Sequence, residues 1–254
     1  MIRHFLPEDQ LKWANVSTST LSSSSSSPVK LSTVVDLRSR LSFPIVDQGI
    51  VGCCVACSLA AAHQFLDNDF SPSVLFTYWN SRWLDQQRGQ NAPSIDDGTT
   101  LYQGIQSMVR FGCCPNELWP FVAARQGVKP STGCYVAALN HQTLQYRNVR
   151  ANAVDMKTCL SANIPFVFGF MVYSSFMTTT VARTGVVPIP TRRDRLVGGH
   201  AVLCVGYDDA RQVWICRNSW GQSWGDRGHF YLPYAYLTSS RLAGDMWVVQ
   251  RVEE

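Results

Sequence analysis

The stretch "DQGIVGCCVACSLAAAHQF", residues 47–65, places three cysteines within five positions, directly after an Asp-Gln-Gly turn. The alanine-rich segment from Cys54 to Leu66 contains no glycine or proline, which is typical of a buried helix. Cys54 would then open this helix, where unpaired backbone N–H groups and the helix dipole favour a thiolate. These cysteines could form a metal site, a disulfide cluster or one reactive thiol. The rest of the sequence is needed to choose among these three possibilities.

The spacing of the cysteines argues against zinc. A structural zinc site uses two separated pairs of cysteine or histidine ligands. Cys53-Cys54 and Cys113-Cys114 are adjacent doublets, and no C-x-x-C or H-x-x-x-H pair lies downstream of Cys57. We therefore expect no metal and no other cofactor. The chain has nine cysteines, an odd number, so at least one thiol is free in a monomer.

Composition and charge favour a globular protein over a nucleic-acid-binding or membrane-spanning one. The chain has 254 residues, of which 46% are apolar and 16% charged, as in a globular protein with a well-filled interior. A net charge of +4 with scattered lysines and arginines gives no stripe for a nucleic acid. The longest apolar run, Ile164 to Tyr173, contains Pro165 and Gly169 and predicts a buried strand, not a membrane span. No signal peptide is visible, which favours an intracellular location or delivery by a non-classical route.

The first residues differ in composition from the rest. Asn15 to Lys30 is a serine-rich tract that cannot bury enough apolar surface to order itself. We interpret residues 1–32 as an extension that carries a flexible linker, and residues 33–254 as the globular domain. The extension is either a plain disordered tail or an arm that folds over the active site as an intramolecular inhibitor.

The body of the chain predicts an α+β fold. After the helix at Cys54, Ser71-Pro72 would open a second helix that runs to about Gln87, and Thr100 to Gln103 resembles a capping box for a third that ends at Gly112. Later runs such as "PFVFGFMVY", "HAVLCVGYDD" and "VWICRNSW" are rich in β-branched and aromatic residues, as in strands. We expect a helical part over residues 46–128 and a mainly β part over residues 129–245, with a cleft between them.

A nucleophilic thiol needs a base, and the chain has five histidines. His4, His63 and His141 fall in the extension, inside a helix and beside a polar stretch, and His229 begins a strand after a tight turn. His200 follows two glycines and leads into an apolar strand, which makes it the candidate base. A hydrogen-bonded structural histidine fits the same position.

Three blocks in the chain resemble papain-like cysteine peptidases, the cathepsin clan. "PIVDQGIVGCCVACSLAAA" resembles the family's glutamine and nucleophile block, and "VGGHAVLCVGYDD" its histidine block. "ICRNSWGQSWGDRGHFYLP" resembles the asparagine block and is the most specific of the three. The resemblance covers roughly residues 35–249 and is closest to a compact subgroup from bacteria and large viruses. It implies a helical subdomain and a β-barrel-like subdomain with the active site in the cleft between them.

The resemblance also implies roles for individual residues. Cys54 would attack the scissile carbonyl as a thiolate, His200 would carry the proton, and Asn218 would orient the imidazole. The Gln48 side chain and the Cys54 N–H would stabilise the oxyanion. Trp220 would shield the histidine–asparagine hydrogen bond from water, with Trp224 packed nearby.

Several positions depart from the family pattern. Val51 replaces the cysteine that usually precedes the nucleophile by three residues, so the usual disulfide cannot form there, and Val55 replaces the usual tryptophan. "SIDDGTT" (94–100) replaces a glycine-rich substrate segment. Cys114 and Cys134 flank a loop and are a candidate pair. The residues that match substrate-binding positions are all small and imply room for a bulky apolar residue at P2, the second residue before the cut: Gly98, Gly169 and Ala201.

The resemblance leads to a monomeric thiol endopeptidase that hydrolyses peptides or proteins through an acyl-enzyme. Two alternatives stay open. One is a catalytically silent papain-like module that binds proteins, and the change at Val55 keeps it in play. The other is acyl or amide transfer to a non-peptide substrate, which uses the same cysteine–histidine chemistry.

Overall fold

The computed structural model of the protein describes residues 31–141 and 144–251. The α-helices are α1 Cys54–Leu66, α2 Val74–Gln86, α3 Leu101–Phe111, α4 Thr132–Ala138, α5 Ala153–Ser161, α6 Thr179–Thr184 and α7 Tyr234–Leu237. The strands are β1 Val34–Asp36, β2 Leu144–Asn148, β3 Phe166–Tyr173, β4 Leu196–Asp208, β5 Val213–Arg217, β6 His229–Pro233 and β7 Ala243–Arg251. The three longest helices come before the six strands β2–β7, which confirms the α+β prediction.

Helix α1 lies between the other helices and the sheet. It begins at Cys54, as predicted, and nearly all of its residues are buried. Its small side chains allow close neighbours on both sides, with β4 packed on one side and α2 and α3 on the other. A Cβ on Gly104 of α3 would lie 2.5 Å from a methyl carbon of Leu59, so this helix pair requires glycine there. The fold thereby fixes the position of the first turn of α1.

Helix α2 starts later than the sequence predicted. It begins at Val74 with Ser73 as its cap, since the Ser73 hydroxyl accepts the N–H of Phe76. The predicted cap, Ser71, instead accepts a hydrogen bond from the Gln64 side chain. Both serines precede the same apolar run, and only tertiary contacts select between them.

Helix α3 has the predicted start and end, but only half of the predicted capping box. The Thr100 hydroxyl accepts the N–H of Gln103 at 3.2 Å. The Gln103 side chain hydrogen-bonds to Asp85 instead of returning to the Thr100 backbone. Gly112 adopts a φ of 76° and ends the helix.

The strands form one antiparallel sheet in the order β2-β7-β3-β4-β5-β6, with β1 paired to β4. Strand β3 confirms the predicted buried strand, and Phe166, Phe168 and Phe170 are completely buried. Strand β4 lies near the middle of the sheet and approaches β1 very closely, because a Cβ on Gly206 would lie 2.2 Å from the Val35 carbonyl oxygen. The sheet continues past the predicted limit of the β part, since β7 runs to Arg251.

The other sequence predictions meet the structure only in part. The extension proposed for residues 1–32 lies outside the described residues apart from Leu31 and Ser32. All nine cysteines are free thiols, so the candidate Cys114–Cys134 pair is not a disulfide. The Cys114 thiol donates to the Pro115 carbonyl, and the Cys134 sulfur is hydrogen-bonded to the Ser131 hydroxyl. Within residues 31–141 and 144–251, no helix is long and apolar enough to cross a membrane.

Candidate active site

The imidazole of His200, on β4, is held by the residue that follows β5. His200 Nε2 lies 2.8 Å from Asn218 Oδ1, and the N–H of Ser219 donates to the same oxygen at 2.9 Å. Because an amide oxygen can only accept, His200 Nε2 carries the hydrogen in this pair. The neutral imidazole therefore presents the lone pair of Nδ1, which can accept a proton. His200 and Asn218 are 2% and 4% exposed.

The sulfur of Cys54 lies beside the strand that carries this histidine. It is close enough to the backbone N–H of Ala201, the residue after His200, for a hydrogen bond to favour the thiolate. The N–H groups of Val55 and Cys54, in the first turn of α1, act in the same direction. The fold thus places Cys54 next to the residue that follows His200.

Burial works against the thiolate. Removal from water raises the pKa of the Cys54 thiol to about 12, and the backbone N–H groups offset this only in part. The sequence expectation of a lowered pKa at the helix start is therefore not met in this form of the protein, in which Cys54 is 2% exposed. The helix dipole was predictable from local sequence, whereas the burial results from packing against β4.

Gln48 is fixed at both ends of its amide. Its Oε1 accepts the Ser219 hydroxyl at 2.5 Å, and its Nε2 donates to the Val51 carbonyl at 2.8 Å. The backbone N–H of Gln48 also donates to the Ser219 carbonyl at 2.9 Å. One amide hydrogen is used by Val51, so the second is available to a developing negative charge. The N–H of Cys54, as the first residue of α1, has no intrahelical acceptor and is a second donor of the same kind.

An aromatic cluster covers the histidine. The Trp220 ring stacks on the imidazole of His200 with centroids 5.0 Å apart. Trp224 meets Trp220 edge to face at 5.0 Å, and Phe176 stacks on Trp224 at 5.5 Å. Trp220 therefore covers one face of the imidazole and Trp224 packs against Trp220, while their role in shielding the histidine–asparagine hydrogen bond stays a prediction.

The predicted substrate-binding residues lie in two separate contacts. Gly169 of β3 is the direct partner of Ala201 on β4. Gly98 lies next to Gly52, whose Cβ position would be 3.4 Å from the Gly98 nitrogen. A cavity of about 340 Å³ between the helices and the sheet is lined by Ala201 but not by Cys54, Gly98 or Gly169, so it is separate from the nucleophile.

One structural element of the site was missed by sequence reasoning. Asp96 Oδ1 accepts the N–H of Gly52 at 3.0 Å and the hydroxyl of Tyr78 at 2.5 Å. The Tyr78 oxygen in turn accepts the N–H of Gly98 at 3.1 Å. We call these four residues the Asp96 bridge. It joins the loop before the nucleophile to the "SIDDGTT" segment, close to Val51, where the usual disulfide is lost. Two adjacent aspartates gave no signal as to which of them would turn inward.

Metal ligation finds no support in the described part of the chain. No group of three or more histidine, cysteine, aspartate or glutamate residues within 31–141 and 144–251 is arranged to hold an ion. The site consists of a thiol, an imidazole, amides and backbone N–H groups. These groups can transfer protons, form a covalent bond to an electrophilic carbon and stabilise an oxyanion.

Comparison with known proteins agrees with this geometry. The sequence profile described as "Papain family cysteine protease" matches residues 31–244. The chain is 33% identical to an uncharacterized peptidase C1-like protein of Acanthamoeba polyphaga mimivirus, over 87% of this chain and 75% of that protein. A cathepsin L-like proteinase of Fasciola hepatica is 28% identical, and the chain spans 58% of its length.

Solved structures give the same picture. Xylellain, a cysteine protease from Xylella fastidiosa, is 37% identical with a TM-score of 0.81, over 88% of this chain and 87% of that one. The Carica candamarcensis cysteine protease CMS1MS2 shares the fold, with a TM-score of 0.59 at 19% identity over 88% of this chain and 100% of that one. The similarity to a bacterial and a large-virus protein agrees with the predicted subgroup.

Proposed function

The chain belongs to the papain family of cysteine proteases, and on that basis we propose that it is an active endopeptidase that works through an acyl-enzyme on Cys54. Its substrates are peptides or proteins. The observation that carries the proposal is the 2.8 Å hydrogen bond between His200 and Asn218, which leaves Nδ1 of an oriented imidazole as a base next to the strand residue that contacts the sulfur.

The first step is proton transfer coupled to attack. Since burial keeps the Cys54 thiol protonated, its proton leaves as His200 Nδ1 accepts it, and the sulfur forms a bond to the carbonyl carbon. The carbonyl π electrons move to oxygen, and Gln48 Nε2–H and the Cys54 N–H stabilise the oxyanion. Asn218 and the stacked Trp220 keep the imidazolium in place. Loss of one such oxyanion donor costs about 10²–10³ in kcat in comparable enzymes.

The intermediate then collapses to products. The carbonyl re-forms, the C–N bond breaks, and His200 returns its proton to the leaving amine. Water next attacks the thioester while His200 Nδ1 takes one of its protons, and the acid is released as the sulfur recovers a proton. No further cofactor enters these steps.

The small size of three residues supports a preference for a bulky apolar residue at P2. Gly98 and Gly169 have no side chain, and Ala201 has only a methyl group. A panel of fluorogenic dipeptides checks this. A preference for Leu, Val or Phe over Ala at P2 is expected, and equal rates across the panel would exclude it.

Labelling and turnover test the endopeptidase proposal together. Cys54→Ala should lose both cleavage of a fluorogenic peptide and covalent labelling by an epoxide thiol inhibitor, measured by intact mass. Cys53→Ala is the matched control, because Cys53 is fully buried with its sulfur 3.8 Å from that of Cys57. Persistent labelling of Cys54→Ala would show that another thiol is the nucleophile. A folded wild type that neither cleaves nor labels would favour the silent binding module.

The role of the N-terminal extension stays part of this proposal. We infer that residues 1–32 restrain the enzyme by covering the active site, because they carry a short apolar segment on a serine-rich tether that could reach it. Deletion of residues 1–30 should raise kcat/KM and the rate of inhibitor labelling. Unchanged values for both would remove the inhibitory role without affecting the assignment of Cys54.

A further inference from the structure

Arg217, the last residue of β5, is a buried cation without a carboxylate partner among the described residues. It is 6% exposed, and its Nη2 donates to the carbonyl oxygens of Phe43 and Pro44 at 2.7 and 3.1 Å. A buried charge is costly unless it is paired with an opposite charge. Two carbonyls satisfy part of the guanidinium, and its positive charge stays uncompensated.

The side chain directly opposite Arg217 is also incompletely bonded. His229 of β6 is its register partner, so the two side chains project from the same face of the sheet. His229 Nδ1 lies 3.1 Å from the Arg227 carbonyl and therefore donates to it. Nε2, in a residue that is 7% exposed, has no hydrogen-bond partner among the described residues. Burial, with Arg217 and Arg38 nearby, lowers the pKa of His229 to about 4, so Nε2 is an acceptor at neutral pH.

Both groups line a cavity of about 600 Å³ that we call the Arg217 cavity. Its wall is formed by the segment 36–45 and by side chains from β5, β6 and the turn before β6. Its cations are Arg38, Arg217 and Arg227. Arg38 is paired with Asp36 at 2.7 Å and with Asp226 at 2.9 Å, and Arg227 with Asp226 at 3.5 Å, so Arg217 is the cation of this cavity without a carboxylate partner among the described residues. The separate 340 Å³ cavity also reaches Arg217, but there the other charged side chain is the carboxylate of Asp47. Charge therefore directs an anion to the larger cavity.

We propose that the Arg217 cavity binds a phosphate group, as inorganic hydrogen phosphate or as a phosphate monoester. Its charged oxygens accept hydrogen bonds from the Arg217 guanidinium and neutralise it. Inorganic phosphate retains at least one proton at pH 7, whereas a monoester, with a second pKa near 6, retains its proton only in part; in either case that P–O–H donates to His229 Nε2. Sulfate has the same shape but carries no proton at this pH, so it satisfies Arg217 and leaves Nε2 unpaired.

Calorimetric titration of the full chain tests the site with three named ligands: inorganic phosphate, glycerol 1-phosphate and sulfate, each in chloride buffer of matched ionic strength at pH 7. Phosphate should bind more tightly than sulfate. Arg217→Met should weaken phosphate binding about 10-fold or more, the usual effect of losing a charged hydrogen bond. His229→Phe should remove the advantage of phosphate over sulfate. Arg192→Met, in an exposed loop, is the control and should leave both affinities unchanged.

The three ligands and the variants distinguish a site for a phosphate monoester from a site for free phosphate and from no site at all. Binding of the monoester as well as inorganic phosphate identifies a carried phosphate group, whereas binding of inorganic phosphate alone identifies the free ion. Unaltered phosphate affinity in Arg217→Met, or a wild type that prefers sulfate or binds neither anion, would overturn the proposal. If circular dichroism shows that Arg217→Met does not fold, the test uses His229→Phe instead. Equal affinities of that variant for phosphate and sulfate would then support the proposal, and an unchanged preference for phosphate would overturn it. Peptide cleavage plays no part in the readout, so failure here leaves the proposed activity untouched.

Discussion

Removing the Asp96 bridge should loosen the loop that precedes the nucleophile. Asp96→Ala deletes the acceptor of two hydrogen bonds, from Gly52 N–H at 3.0 Å and from the Tyr78 hydroxyl at 2.5 Å. Hydrogen bonds to a charged group contribute about 1.5–3 kcal/mol each, and the partial exposure of Asp96 favours the lower end. We expect a loss of about 3 kcal/mol in the free energy of unfolding.

Tyr78→Phe tests whether the bridge acts as one unit. It removes the donor to Asp96 and the acceptor of Gly98 N–H, for an expected loss of about 2 kcal/mol. The two substitutions delete the same Tyr78–Asp96 bond, so the double variant should lose about 1.5 kcal/mol less than the sum of the two. Urea unfolding of the four proteins measures this, with Cys54 left in place.

Asp97→Ala is the matched control for the bridge. Its carboxylate accepts a hydrogen bond from the Asn91 side chain at the surface, so its loss should change stability by less than about 0.5 kcal/mol. Because Gly52 is two residues from Cys54, kcat/KM for a peptide should fall about 10-fold in Asp96→Ala and stay unchanged in the control. Additive losses in the double variant, or equal effects of Asp96→Ala and Asp97→Ala, would refute the reasoning.

Three other predictions follow from the contacts described above. Ser219→Ala removes the donor that fixes Gln48 and should lower kcat about 10-fold with little change in KM, whereas Ser219→Thr, which keeps a hydroxyl, should restore part of the rate. Since the pKa of His229 is about 4 in the folded state and near 6.5 when unfolded, stability is complete above about pH 6.5 and decreases as pH falls towards 4, by about 3 kcal/mol. His229→Phe in phosphate-free buffer should flatten that part of the urea-unfolding profile, and an unchanged slope would contradict it. Gly206→Ala would place a methyl group 2.2 Å from the Val35 carbonyl oxygen and should lower the melting temperature by several degrees. An unchanged melting temperature would show that β1 can move aside and would contradict the prediction.

Local sequence was sufficient for features that depend on neighbouring residues in the chain. The start of α1 at Cys54, the cap of α3 at Thr100 and the buried strand β3 all follow from composition and short-range pattern. The identity of the histidine partner needed the resemblance to a family, because many positions in a strand fit a structural histidine equally well.

Features that depend on contacts between distant segments could not be predicted. Ser73 instead of Ser71 caps α2, and the Ser73 hydroxyl also donates to the carbonyl of Trp119, which is distant in sequence. The raised pKa of Cys54 comes from its burial in the folded chain, which no local pattern predicts. The pairing of Arg217 with His229 depends on the β5–β6 register, which no local pattern sets.

Three consecutive residues directly after β5 contact both the candidate base His200 and the candidate oxyanion donor Gln48. Asn218 holds the imidazole, Ser219 holds the Gln48 amide, and Trp220 stacks on His200 while its backbone bridges to Asp47. A displacement of this tripeptide would therefore disturb His200, the proposed proton acceptor, and Gln48, a proposed oxyanion donor, at once. A substitution at one of these positions affects several partners, so a single second substitution near one partner cannot compensate for it. We therefore expect this tripeptide to be retained in relatives whose other residues differ.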